Sequence, residues 1–165
     1  MSLRYKAPVC YGISSITKDN QHIFMIDYDT HNLNKIRSSL INIQYDFDLS
    51  DIYILKTTNG YNAFSMDKLG HSLLYMIGVN TPLADRRFFD YGFKKGYYVL
   101  RIDGNDKEIV DIMTNPSHKY EKSTAHAIFF KHTLGIRVDA TLNYDNHTEC
   151  DIIGYRSMRH GYHNR

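Results

Sequence analysis

Tryptophan is absent from this chain, and cysteine occurs only twice, as Cys10 and Cys150. Two cysteines near opposite ends make neither a disulfide framework nor a metal-ligand spacing. The expected setting is therefore a reducing one: the cytoplasm, or the cytoplasm of a host if the source is a virus or plasmid. An excess of one charge is lacking too, since 20 Lys and Arg stand against 18 Asp and Glu, a net charge of +2. No global basic field announces nucleic acid. Residues 1–10 (MSLRYKAPVC) hold no apolar signal core, and no apolar run approaches membrane length, so no membrane partner is expected. Internal repeats and low-complexity tracts are also missing. What is abundant is tyrosine, with 14 Tyr beside 8 Phe. Its amphipathic ring suits polar binding surfaces and base-stacking platforms, although an AT-rich genome also favours Tyr codons.

The length of 165 residues predicts one domain with a real core. Its expected bounds are 1–155, followed by a basic, flexible tail over 156–165. Residues 1–21 read as irregular with one possible short strand. Residues 22–29 read as a buried strand, because Ile23, Phe24, Met25 and Ile26 form an apolar run too short for a helix. Leu33, Ile36, Leu40 and Ile43 then recur at helical spacing, with Thr30 or Asn32 as the cap. Residues 51–58 and 61–66 read as a hairpin turning at Asn59-Gly60. Asp67 is expected to cap a helix reaching Gly78, with Leu69, Leu73, Leu74 and Ile77 inward. Thr81-Pro82 reads as the cap and first position of a short piece carrying Asp85, Phe88 and Phe89. Residues 97–103 and 107–113 read as a second hairpin, and Ser123 or Thr124 opens a last helix. Strands alternating with helices, together with hairpin signals, predict an α+β fold. The expectation is a single domain with a mixed or antiparallel sheet and helices packed mainly on one face, of the palm or RRM-like kind.

The chemistry centres on Asp27-Tyr28-Asp29. Side chains alternate along a strand, so Asp27 and Asp29 are expected on one face at the end of the apolar run. Two like charges there repel each other, and a hard cation such as Mg²⁺ or Mn²⁺ between them relieves the repulsion. Downstream, the turn around Thr58 and Gly60 can offer backbone N–H groups to an anion. Asp85 supplies a further carboxylate, and Arg101 and Lys107 supply charge to neutralise phosphates. Asp103, at the end of a convincing strand, is the alternative third carboxylate. Metals held by such carboxylates clamp a triphosphate for in-line displacement.

In this order the motifs resemble the archaeo-eukaryotic primase superfamily, nearest to the primase-polymerases of viruses and plasmids. Met25-Ile26-Asp27-Tyr28-Asp29 is similar to that family's hydrophobic strand ending in DxD. Gly60-Tyr61-Asn62 is similar to its small-x-His motif, with Asn62 in the place of His and no positive charge there. Ala84-Asp85 is similar to its hydrophobic-Asp motif, and Arg101 and Lys107 lie where the family has its Arg and Lys. The likeness spans residues 22–110, about half the chain. It implies a metal-dependent nucleotidyltransferase, with Asp27, Asp29 and Asp85 holding Mg²⁺ or Mn²⁺. Thr58, Gly60, Asn62, Arg101 and Lys107 would then contact a nucleoside triphosphate, with single-stranded nucleic acid as the other partner.

Two rival classes stand beside it: a nucleic-acid-binding module on the same fold without catalysis, and an interaction protein without a nucleotide site. Arg86-Arg87, Lys94-Lys95, Arg101 and Lys107, interleaved with Tyr91, Phe93, Tyr97 and Tyr98, read as a single-strand surface or as an ordinary solvated one. Asp67 and His71 would be i, i+4 on a helix, whereas His118, His126 and His132 lack zinc spacing. Phe88-Phe89 and Phe129-Phe130 read as core.

Overall fold

The apolar run Ile23–Ile26 forms the middle of a strand, and both of its faces are buried. The structure, a computed structural model, describes residues 9–17, 19–101, 108–115 and 156–159. The elements are β1 (Val9–Ser14), β2 (His22–Tyr28), α1 (Leu33–Asp46), β3 (Ile52–Lys56), β4 (Tyr61–Leu69), α2 (His71–Asn80), α3 (Arg86–Lys95), β5 (Val99–Arg101), β6 (Glu108–Met113) and β7 (Arg156–Arg159). The fold is α+β, as the alternation of elements predicts.

Four strands form an antiparallel sheet in the order β2-β4-β3-β6. Strands β2 and β3 both run antiparallel to β4, so they are parallel to each other and need a crossover, which α1 supplies. The Asn32 side chain starts α1 by accepting from the Lys35 N–H at 3.1 Å. Ile36 and Leu40, fully buried, and Ile43 form its inward stripe. Burying each such side chain contributes about 1.5–3 kcal/mol.

Register fixes which face α1 covers. Ile26, Ala63, Ile54 and Asp111 are successive cross-strand partners, so they share one face of the sheet. Arg37 of α1 bonds Asp111 at 2.5 Å, which places α1 over that face. Helices α1 and α2 bound a common groove of about 450 Å³, so α2 lies on the same side. The opposite face carries Asp27, Asn62 and Leu55 in register, and beside them Met25, Phe64 and Tyr53.

A second antiparallel sheet has the order β5-β1-β7. Ser15 joins it to the first. Its N–H donates to the Tyr98 carbonyl, and its hydroxyl accepts from the Tyr98 N–H. Its carbonyl accepts from the Ile23 N–H, and its hydroxyl lies 2.8 Å from His22 Nδ1.

Several local expectations change. Asp67 caps no helix, because β4 runs on to Leu69 and buries it. Its carboxylate accepts from the Ser50 N–H and hydroxyl, both at 2.7 Å, and from the Ser65 hydroxyl. These donors replace the water a buried carboxylate loses. Pro82 does not begin a helix. The Ala84 N–H donates to the Thr81 carbonyl, and Leu83 has φ of 68°. This is a turn with Pro at its second position and a left-handed third position, as in type II. Asp85 then caps α3, and Gly92 lies within that helix, under the Tyr98 ring. Strands β5 and β6 make no hairpin with each other, since β5 pairs with β1 and β6 with β3. Arg156–Arg159, expected within a flexible tail, form β7 against Val9–Gly12. The predicted helix from Ser123 and the residues Phe129, Phe130, His118, His126 and His132 lie outside the described residues.

Candidate functional site at the end of β2

Strand β2 ends where three distant segments meet. Asp27 faces Asn62 across the β2–β4 ladder, and the Asn62 amide donates to Asp27 Oδ1 at 2.6 Å. Asn62 is 5% exposed, so this donor sits on the buried side of a half-buried carboxylate. From the other direction, the Asp85 N–H donates to the Asp27 carbonyl at 2.7 Å, and Ala84 bridges Tyr28. The Leu83 turn thus delivers Ala84-Asp85 to the strand carrying the carboxylates.

Gly60 occupies the third approach. A Cβ added there would lie 2.0 Å from the Tyr28 carbonyl oxygen and 3.1 Å from the Thr30 nitrogen. Only a residue without a side chain lets the β3–β4 turn cross the end of β2 this closely. The Gly60 N–H donates to Thr57 Oγ1 at 3.1 Å, so the expected anion-binding N–H is engaged within the turn. Tyr28 is buried beneath, and loss of water raises its hydroxyl to about 12, against the pull of the Ser39 hydroxyl.

Asp29 follows the last residue of β2 and is exposed. The Asp85 carboxylate accepts from the Arg87 N–H at 2.9 Å, closing the first turn of α3. Thr58 is exposed in the β3–β4 turn. Arg101 ends β5, paired with Gly12 in the other sheet. Its side chain, together with Asp103 and Lys107, lies outside the described residues. The structure therefore brings Asp27, Gly60, Asn62 and Asp85 together and places Arg101 on a separate sheet.

Among the described residues, no three His, Cys, Asp or Glu side chains form a group that could hold a metal. The chemistry of Mg²⁺ requires fewer, because in nucleotide sites it keeps several waters and takes one or two carboxylates plus substrate phosphates. At the end of β2 the carboxylates are half-buried Asp27 and exposed Asp29.

Two features escaped the sequence reading. The first is an aromatic stack beside Ser15 that runs from buried His22 outward to exposed Phe93, with His22 on His71 at 4.6 Å, His71 on Phe93 at 5.0 Å, and buried Tyr98 edge-on to His22. Burial first, and the neighbouring His71 second, lower His22 to about 4. No spacing joins residues 22 and 71 in the sequence. The second is the α1–α2 groove, where Leu73 and Met76, 41% and 57% exposed, face solvent. It contains none of the predicted site residues. No family model, curated protein or solved structure matches the chain. Among the described residues, no helix is long and apolar enough to cross a membrane.

Proposed function

We propose that the chain is a metal-dependent nucleotidyltransferase of the primase-polymerase kind, joining nucleotides on nucleic acid at the end of β2. The observation that carries this reading is the meeting of Asp27, Asn62 and Asp85, three motif positions far apart in sequence. Asp27 and Asp29 would supply the carboxylates for Mg²⁺ or Mn²⁺, and the bound metal would neutralise the triphosphate, while Asp85 reaches Asp27 through its main chain and caps α3 with its carboxylate. Asn62 holds the Asp27 carboxylate in one orientation. Gly60 lets the turn bearing Thr58 reach the same place. Arg101 and Lys107 are the candidates for the remaining phosphate charge.

The test is incorporation of labelled dNTP or NTP on a single-stranded template with Mn²⁺. Incorporation that Asp27→Asn with Asp29→Asn abolishes supports the reading. Millimolar Mn²⁺ should also raise the melting temperature of the wild type by several degrees, and not that of the double variant. A wild type that incorporates nothing, with a melting curve indifferent to metal, overturns it. A second reading, a nucleic-acid-binding module without catalysis, is favoured by two bonds. The Asp85 carboxylate is occupied in capping α3, and the Gly60 N–H is occupied by Thr57. Oligonucleotide binding without incorporation selects it.

A further inference from the structure

We propose that the outer face of α3 is a track for single-stranded nucleic acid leading to the end of β2. The purpose of the strand rests on the nucleotidyl-transfer reading, whereas the binding itself does not. Helix α3 (RRFFDYGFKK) carries four cations against one carboxylate, in a chain whose cations and carboxylates otherwise nearly balance. Its inner side is spent on the core, with Phe89 fully buried and Gly92 pressed under Tyr98. Arg87, Tyr91 and Lys95, at i, i+4 and i+8, form one exposed stripe on the outer side.

The stripe holds more than charge. Tyr91 is 65% exposed. The Lys95 ammonium lies 4.8 Å from the Tyr91 ring centroid and 4.5 Å from that of Tyr97. A cation between two rings holds them in place and leaves the solvent side of Tyr91 as a face on which a base can stack. Alternating cations and exposed aromatic rings suit a strand whose phosphates and unpaired bases are both accessible. Duplex, with its bases stacked inside, offers nothing to Tyr91. Direction follows from the cap: α3 starts at Asp85, bonded to Asp27, and Arg87 to Lys95 spans about 12 Å of helix. The track therefore begins at the carboxylates and runs outward.

The experiment measures binding of fluorescein-labelled dT12 to the full chain across a salt series. Tyr91→Ala should weaken binding about tenfold, and Tyr91→Phe should restore it to within about twofold. Arg87→Glu with Lys95→Glu should weaken it further and flatten the log–log salt slope by about 1.4, or about 0.7 for each phosphate no longer neutralised. These side chains lie outside the core, so the melting temperatures should stay close to wild type. The proposal is overturned if wild type does not bind dT12, or if all the variants bind like wild type. It is equally overturned if duplex, or vesicles of anionic phospholipid, compete better than dT12 does. Binding through α3 with no nucleotide incorporated removes the function above and leaves this track. Incorporation at unchanged dT12 affinity in the α3 variants does the reverse.

Discussion

At the scale of single residues, Gly60 is the most constrained position of the candidate site. Gly60→Ala puts a methyl group into the Tyr28 carbonyl, and because the obstacle is backbone, no rotamer change relieves it. A loss of about 2 kcal/mol or more is expected in urea unfolding, together with a smaller thermal shift on adding Mn²⁺. The DxD spacing singled out Asp27 and the Gly60-Tyr61-Asn62 motif singled out Asn62, but as a triphosphate contact; its pairing with Asp27 comes from the long-range β2–β4 register, which no local spacing reveals. The role of Asp85 was only half legible. Its place beside Asp27 was expected, but its two bonds are a main-chain donor and a helix cap, which residue type alone does not reveal.

At the scale of elements, hydrophobic period found β2, α1 and β3 and failed where two signals competed. Asp67 before Leu73 and Leu74 reads as a helix cap, yet the alternation of β4 carries it into the sheet, where Ser50 and Ser65 satisfy it. Gly92, a residue that usually marks a break, lies inside α3 and makes room for the Tyr98 ring. The link between α2 and α3 turns on Leu83 at φ of 68°, a conformation that costs a residue with a side chain roughly 1 kcal/mol. Leu83→Val, branched at Cβ, should lower stability by about 1–2 kcal/mol more. Leu83→Gly should stay within about 1 kcal/mol of wild type, because relief of strain offsets the extra freedom of the unfolded chain. Denaturant midpoints of the two variants, compared at equal slope, check the pair.

At the scale of the whole molecule, Ser15 and His22 join the two sheets, and that junction titrates. The ordinary His value of 6.5 describes the unfolded chain, whereas burial lowers native His22 to about 4. Between these two values the unfolded chain binds a proton that the native state refuses. The stabilising effect is therefore complete above about 6.5, shrinks as the pH falls, and is gone near 4. The loss is of order 3 kcal/mol, at about 1.4 kcal/mol per pH unit. His22→Gln should flatten the urea midpoint over that window; an unchanged slope would assign it to other groups. The bridges to Ile16 and Ala84 have one more effect. Among the described strands β2 is an outer strand of its sheet, yet Phe24, Met25 and Ile26 are fully covered, so their margin is not open to a strand from another chain. The two bridges guard that margin at both of its ends. Asp85 has φ of −69°, which proline shares, so Asp85→Pro chiefly removes the N–H bonded to Asp27, along with the capping carboxylate. Light scattering on gentle heating should rise earlier for Asp85→Pro than for Asp85→Ala, which keeps that N–H. Earlier scattering would show that the bond carrying Asp85 to the candidate site also helps to keep that margin covered.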